Sequence, residues 1–252
     1  MTERVPFLVV AMNCAWLGAC GSSEPDGPHE VPNADGGLTG DSSDSGGPGD
    51  AGYPYSGGVL RADRFIAGVV SVTQGACGGF GSASMPGVVY GPPIGGGESA
   101  GGLDVVSLGT AGEIVVSFGA NEIVDGPGPD FIVFENAFDK GGDPRSPVAN
   151  LGEVSVSADH VTWKTFSCTA TAYPYGACAG WHPVYSNPQN GISPVDPAAA
   201  GGDAFDLADV GLASARFVKI VSKSNESCDT QRPVNTNGFD LDAISLVNAR
   251  LP

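Results

Sequence analysis

The chain has 252 residues, with 28 Asp and Glu against 11 Lys and Arg and a formal net charge of −17. That field repels phosphate backbones and anionic lipid headgroups, which excludes nucleic-acid binding and electrostatic docking on membranes. The 39 Gly and 20 Pro disfavour long helices and favour strands, turns and linkers.

Residues 1–19 read as a secretion signal. Arg4 is followed by an apolar stretch from Val5 to Leu17, broken by Asn13. A spanning helix needs about 20 apolar residues, and this stretch is shorter. It suits the apolar region of a signal peptide. The stretch runs into Leu17-Gly18-Ala19-Cys20 and then Gly21-Ser22-Ser23. This resembles the box of bacterial lipoproteins, which implies cleavage before Cys20 and a lipid on its sulfur. Gly21 is not the aspartate of inner-membrane retention, so the resemblance points to the outer membrane and cell surface. Contact with a membrane is then expected through the lipid anchor alone.

Residues 20–58 are expected to form a disordered tether. The segment 21–58 holds 11 Gly, 6 Ser, 5 Pro and seven acids, with no Lys or Arg. It has too little apolar surface to offset chain entropy. Asp44-Ser45-Gly46-Gly47-Pro48 looks like the segment around a protease nucleophile. A nucleophile needs a rigid fold and a positioned base, and neither is expected in a tether.

The chain has six cysteines. Cys14 leaves with the signal and Cys20 takes lipid, so Cys77, Cys168, Cys178 and Cys228 remain. In an exported chain they read as two disulfides. Three pairings exist. Cys168 and Cys178 bracket a short Tyr/Pro/Gly-rich loop, which favours that pair and hence Cys77 with Cys228. No C-x-x-C pair or nearby histidine supports zinc.

From residue 59 to 252, runs of β-formers alternate with turn signals. Strands are expected at 64–72, 102–108, 113–118, 130–134, 152–157, 162–166, 215–222 and 239–247. Only Ala204 to Leu212 suggests a helical turn. This pattern predicts an all-β domain, a jelly-roll β-sandwich of two antiparallel sheets. Trp163 alternates with Val161 and Thr165 and is expected in the core.

Three segments carry a family resemblance: 102–118, Val124 to Asn136 with its Asp-Gly-Pro-Gly-Pro-Asp turn, and the finish Arg216 to Ile220 with Gly238 to Ile244. They resemble bacterial cell-surface proteins with a discoidin-like or galactose-binding-like jelly roll, an architecture shared by carbohydrate-binding modules. The hairpin over 153–166 is also similar to a discoidin pattern, with His160 standing in the place of a turn glycine. The resemblance implies the architecture and suggests, without naming, a ligand.

Candidate chemistry sits in two places. Asp240 and Asp242 share one face with Ile244 and Leu246 in a regular strand, so two carboxylates would begin an inward row. An unpaired inward carboxylate is costly, and a cation or backbone N–H groups would relieve it. The resemblance implies structural calcium near the sheet end, with Glu135, Asn136, Asp203 and Asp206 completing the shell. Gly201 to Asp206 then reads as an ion loop, while Asp125 to Asp130 reads as a rigid connector. The second place is Tyr173, Tyr175, Trp181, His182 and Tyr185. Aromatics on a braced loop serve either to stack on sugars or to lid the sandwich end.

No hydrolase, zinc-protease, phosphate-loop or dinucleotide motif is present. The reading is a non-catalytic surface lipoprotein whose sandwich binds a glycan, as a monomer. The alternatives are a carboxylate-dependent glycoside hydrolase, or a structural or adhesion component binding a surface protein.

Overall fold

The structure is a computed structural model that describes residues 53–55, 58–60, 62–229 and 235–252. The lipoprotein box, the signal segment and residues 20–52 of the expected tether lie outside these. In chain order the strands are β1 Tyr53–Tyr55, β2 Gly58–Leu60, β3 Gly68–Thr73, β4 Val106–Ser107, β5 Glu113–Ser117 and β6 Glu122–Val124. Next come β7 Phe131–Phe134, β8 Phe138–Asp139, β9 Pro147–Val148, β10 Gly152–Ser157, β11 Lys164–Thr165 and β12 Asp203–Phe205. Last are β13 Ser214–Ala215, β14 Phe217–Ser222, β15 Asp240–Leu241, β16 Ala243–Leu246 and β17 Ala249–Arg250. Only short 3-10 turns interrupt them, including Leu207–Val210 where a helical turn was expected. No helix among the described residues is long and apolar enough to cross a membrane.

The larger sheet has the order β11-β10-β14-β5-β3 and is antiparallel throughout. A second sheet, β12-β7-β16, is also antiparallel. The chain crosses between the two sheets from β5 to β7, β7 to β10, β11 to β12, β12 to β14 and β14 to β16, as the expected jelly-roll sandwich requires. Its core follows from period-two alternation. Ile114, Val116, Val154, Val156, Val218 and Ile220 of the larger sheet meet Phe131, Val133, Phe205, Ile244 and Leu246 of the smaller. Phe131 stacks on Phe205 at 5.3 Å, and Phe166 closes the trio at 4.9 Å from Phe205. Each such ring contributes roughly 1.5–3 kcal/mol by burial. The other face of the smaller sheet is buried too. Ile132, Phe134 and Ala243 pack under Val184 and Ala200, so the segment 183–201 covers it.

The edge strand β3 leaves Val70 and Val72 exposed. A register shift between Val69 and Ser71 bends that edge, a device that discourages pairing with another chain. Both disulfides have the expected pairing: Cys168–Cys178, with Cα atoms 4.5 Å apart, and Cys77–Cys228, at 5.5 Å.

Four expectations are corrected. Strand β1 falls within what read as tether and pairs with β2 across the expected boundary at residue 59. The 102–108 strand shrinks to β4. The 162–166 strand shrinks to β11, and Trp163 falls just before it, half-buried rather than in the core, with Lys219 Nζ 4.7 Å above its ring. The 239–247 run is broken at Asp242. Phe239 and Leu241 enter the same core as Ile244 and Leu246, which unbroken alternation cannot achieve.

Candidate functional site

Glu135 directly follows β7 and continues the inward side of Phe131 and Val133, so its carboxylate enters the end of the sandwich. It is 2% exposed. The Asp240 N–H donates to its Oε1 at 3.3 Å, and its Oε2 has no hydrogen-bond partner among the described residues. Burial, and then the charge of Asp240 and Asp203, push its pKa well above the usual carboxylate range.

Asp240 pairs with Ser107 across β4 and β15, and the Ser107 hydroxyl donates to its Oδ1. Burial raises it to about 6, against the hydrogen bonds from Ser107 and Asn136 that favour its charged form. Asp242 sits at the strand break. Its Oδ2 accepts from the Ile94 N–H at 3.0 Å, and burial holds its pKa well above the usual value.

Asp203 opens β12 opposite Val133, so the expected ion loop is a strand here. Asp203 and Phe205 point inward while Ala204 is exposed. Both carboxylate oxygens are occupied. Oδ2 accepts the N–H groups of Gly180 at 2.6 Å and Trp181 at 3.2 Å, and His182 Nδ1 donates to Oδ1 at 2.7 Å. Burial raises the Asp203 pKa, and these donors oppose the rise.

Glu135, Asn136, Asp203, Asp240 and Asp242 therefore gather at one end of the smaller sheet. Asn136 joins them as a hydrogen-bonded amide, its Nδ2 donating to the Gly102 carbonyl at 3.2 Å. Asp206 does not. It lies past the far end of β12 and caps the turn Leu207–Val210 through the Ala208 N–H. There it meets Asp125 and Asp130, whose ligand atoms with its own lie within 4.8 Å of one another. The reason is register: three residues of antiparallel strand separate Asp203 from Asp206. In that second group the fully buried Asp130 is satisfied by Gly126 N–H, Asn248 Nδ2 and Leu207 N–H, as a connector needs.

The aromatic loop is fixed from below. Trp181 Nε1 donates to the Cys178 carbonyl at 2.9 Å. Gly180 has φ of +88°, and an added Cβ would lie 2.4 Å from the Asn150 carbonyl oxygen, so glycine is required for its N–H to reach Asp203. The rings of Tyr173, Tyr175 and Trp181 touch one another at 5.8–6.5 Å, and His182 stacks on Trp181 at 3.5 Å. Tyr173 and His182 are exposed, while Tyr175 and Trp181 are half-buried. Tyr185 stands apart. Its hydroxyl faces Glu98 at 3.5 Å, beside a separate cavity of about 400 Å³ lined by Gly95 to Gly97 and Asn187.

Beside the loop opens a cavity of about 270 Å³, lined by His182, Asp203, Asp209, Cys178, Phe166 and Phe205. Its floor is two rings of the core trio. Its polar wall is a histidine whose Nδ1–H is held by a buried carboxylate, leaving Nε2 as an acceptor when the ring is neutral. The pairing of His182 with Asp203 was invisible in sequence because 21 residues separate them. Ser107, Ile94 and Asp130 were also missed. Backbone donors carry no sequence signal, and Asp130 differs from other turn acids only in being buried.

Compared with known proteins, the chain matches no family model, no curated protein and no solved structure.

Proposed function

We propose that the protein is a surface-anchored lipoprotein whose sandwich is a non-catalytic binding module for a glycan. The observation that carries this is the aromatic cluster in which Tyr173 and Tyr175 of the disulfide-closed loop meet Trp181 and His182 just beyond it, next to the cavity at His182 and Asp209. Aromatic faces stack on sugar rings, and a rigid loop loses little entropy on binding. The carboxylates that a hydrolase would enlist, Glu135 and Asp203, are 2% and 4% exposed, while Tyr173 is 42% exposed. That contrast favours binding through solvent-facing rings over chemistry at buried acids.

A structural calcium ion belongs to the proposal. It rests on Glu135 Oε2, the buried carboxylate oxygen without a partner, with Asp240 beside it. Asp203 and Asp242 already accept backbone N–H groups and would serve as the outer support of such an ion. Anchoring is proposed through Cys20, at the outer membrane.

The test of function is a glycan array probed with the full chain and with Trp181→Ala. Saturable binding lost in the variant, with an unchanged thermal melt, supports the reading. Reducing-sugar release by the wild type would replace it with the hydrolase, and a co-purifying protein without any glycan signal would replace it with an adhesion role. Anchoring is tested by metabolic labelling with an alkyne fatty acid, where Cys20→Ser must abolish the label.

A further inference from the structure

The ring planes in the aromatic loop are nearly orthogonal in all three pairings. Tyr173 and Tyr175 meet at 90°, Tyr173 and Trp181 at 84°, and Tyr175 and Trp181 at 71°. Their centroids are 6.5, 5.8 and 6.0 Å apart. The three rings meet in edge-type contacts, and planes this close to perpendicular at these separations match the spacing of a box corner. A cation on the three ring normals, about 4.5 Å from each centroid, would set the centroids about 6.4 Å apart, well inside cation–π range. A flat platform for a neutral sugar needs no such corner.

The surroundings have the matching sign. His182, next to Trp181, lies within electrostatic reach of Asp139, whose carboxyl also feels Glu98 and Asp143. Asp209 lines the adjoining cavity. Two nearby cations are already paired: Arg145 with Asp143 at 3.3 Å, and Lys223, which lines the cleft beside Cys168, with Glu153 at 3.5 Å. The corner is also held in place before any ligand arrives, through the Trp181 indole bond to Cys178 and the loop disulfide.

We propose that the ligand of this site is an amino sugar carrying free ammonium groups, with one ammonium in the corner of Tyr173, Tyr175 and Trp181 and a neighbouring hydroxyl donating to His182 Nε2. This rests on the glycan reading above and narrows it to a cationic glycan.

The experiment is calorimetry of the full chain against three tetramers: glucosamine with charged amines, its fully N-acetylated counterpart, and neutral glucose. The glucosamine tetramer binds at least about tenfold more tightly than the other two, and added salt weakens it. Tyr173→Ala costs about tenfold in affinity while Tyr173→Phe, which keeps the ring, costs little. Tyr173 is exposed, so its replacement leaves the thermal melt in place even if Trp181→Ala disturbs the loop. Equal affinity for all three tetramers would overturn the cationic ligand and leave the glycan reading standing. Binding of none of them, or of any other glycan on the array, would overturn both.

Discussion

Asp240 makes the metal-free chain less stable at neutral pH than in mild acid. Its pKa rises from 3.8 to about 6 on folding, chiefly because burial disfavours the charge. Between those values the native state holds a proton that the unfolded chain has released, so stability falls as pH rises. Below the lower value the penalty is absent, and above the higher one it is complete. The shift of roughly two units corresponds to roughly 3 kcal/mol. Glu135, Asp203 and Asp242 are raised in the same direction by burial and steepen the decline. Asp240→Asn removes one titrating group and keeps an oxygen for the Ser107 hydroxyl. At neutral pH in chelator it stabilises by up to about 3 kcal/mol, or very roughly 6–12 °C in Tm for a domain of this size. The assay is a series of thermal melts from mild acid to neutral pH, in chelator and in calcium. Calcium raises the wild-type melt at neutral pH, where the carboxylates are charged, and fails to raise that of the variant. Two results would refute the reasoning: a flat wild-type profile in chelator, or a variant less stable than wild type at neutral pH.

Three further perturbations test the scaffold. Asp130→Ala strands the donors of Gly126, Leu207 and Asn248, and should cost about 3–9 kcal/mol in urea unfolding at roughly 1–3 per stranded donor, whereas a change under about 1 would show the connector is not sealed by this residue. Replacing Cys168 and Cys178 together with Ser opens a loop of sequence separation 10, with an expected loss of about 3 kcal/mol and of glycan affinity; retention of full affinity would mean the bracing is irrelevant to binding. Gly180→Ala forces a Cβ against the Asn150 carbonyl and pulls the N–H away from Asp203, so Trp181 fluorescence should change together with a lower melt, and an unaltered spectrum would count against the clamp.

The parts of the fold that were legible in sequence are those where period-two alternation meets clear turn residues. Residues 113–118, 130–134 and 152–157 fall within a residue of the observed β5, β7 and β10, because each is β-branched or aromatic and flanked by Gly, Pro or Asp. His160 was read as occupying a glycine's place, and its φ of +63° lies in the left-handed region that favours glycine. The neighbouring Asp159 accepts the N–H groups of Val161 and Thr162, which lowers its pKa to about 2. Legibility ended where tertiary partners set the outcome. The strand break at Asp242 answers the Ile94 N–H, which arrives from 148 residues away. The strand at Asp203 lies in a Gly-rich stretch whose local propensity favours a loop, and pairing with β7 overrides it. Of the six residues that the expected ion shell named, five lie at one sheet end because they flank adjacent strands. It misplaced Asp206 because spacing along a chain does not reveal at which end of a strand a residue lies.

Asp203 ties these two halves of the site into one unit. Through its backbone it belongs to the smaller sheet, opposite Val133. Through its carboxylate it holds the backbone of Gly180 and Trp181 and the ring of His182. Through its charge it helps raise the pKa of Glu135, whose free oxygen faces the same sheet end. A cation at Glu135 would attract the Asp203 carboxylate and offset the cost, set by burial, of keeping Asp203 ionised. An ionised Asp203 is the stronger acceptor for the three donors that set the aromatic loop. On the proposed readings, calcium affinity and glycan affinity would be coupled through one carboxylate, and by linkage each ligand would tighten the other by the same factor.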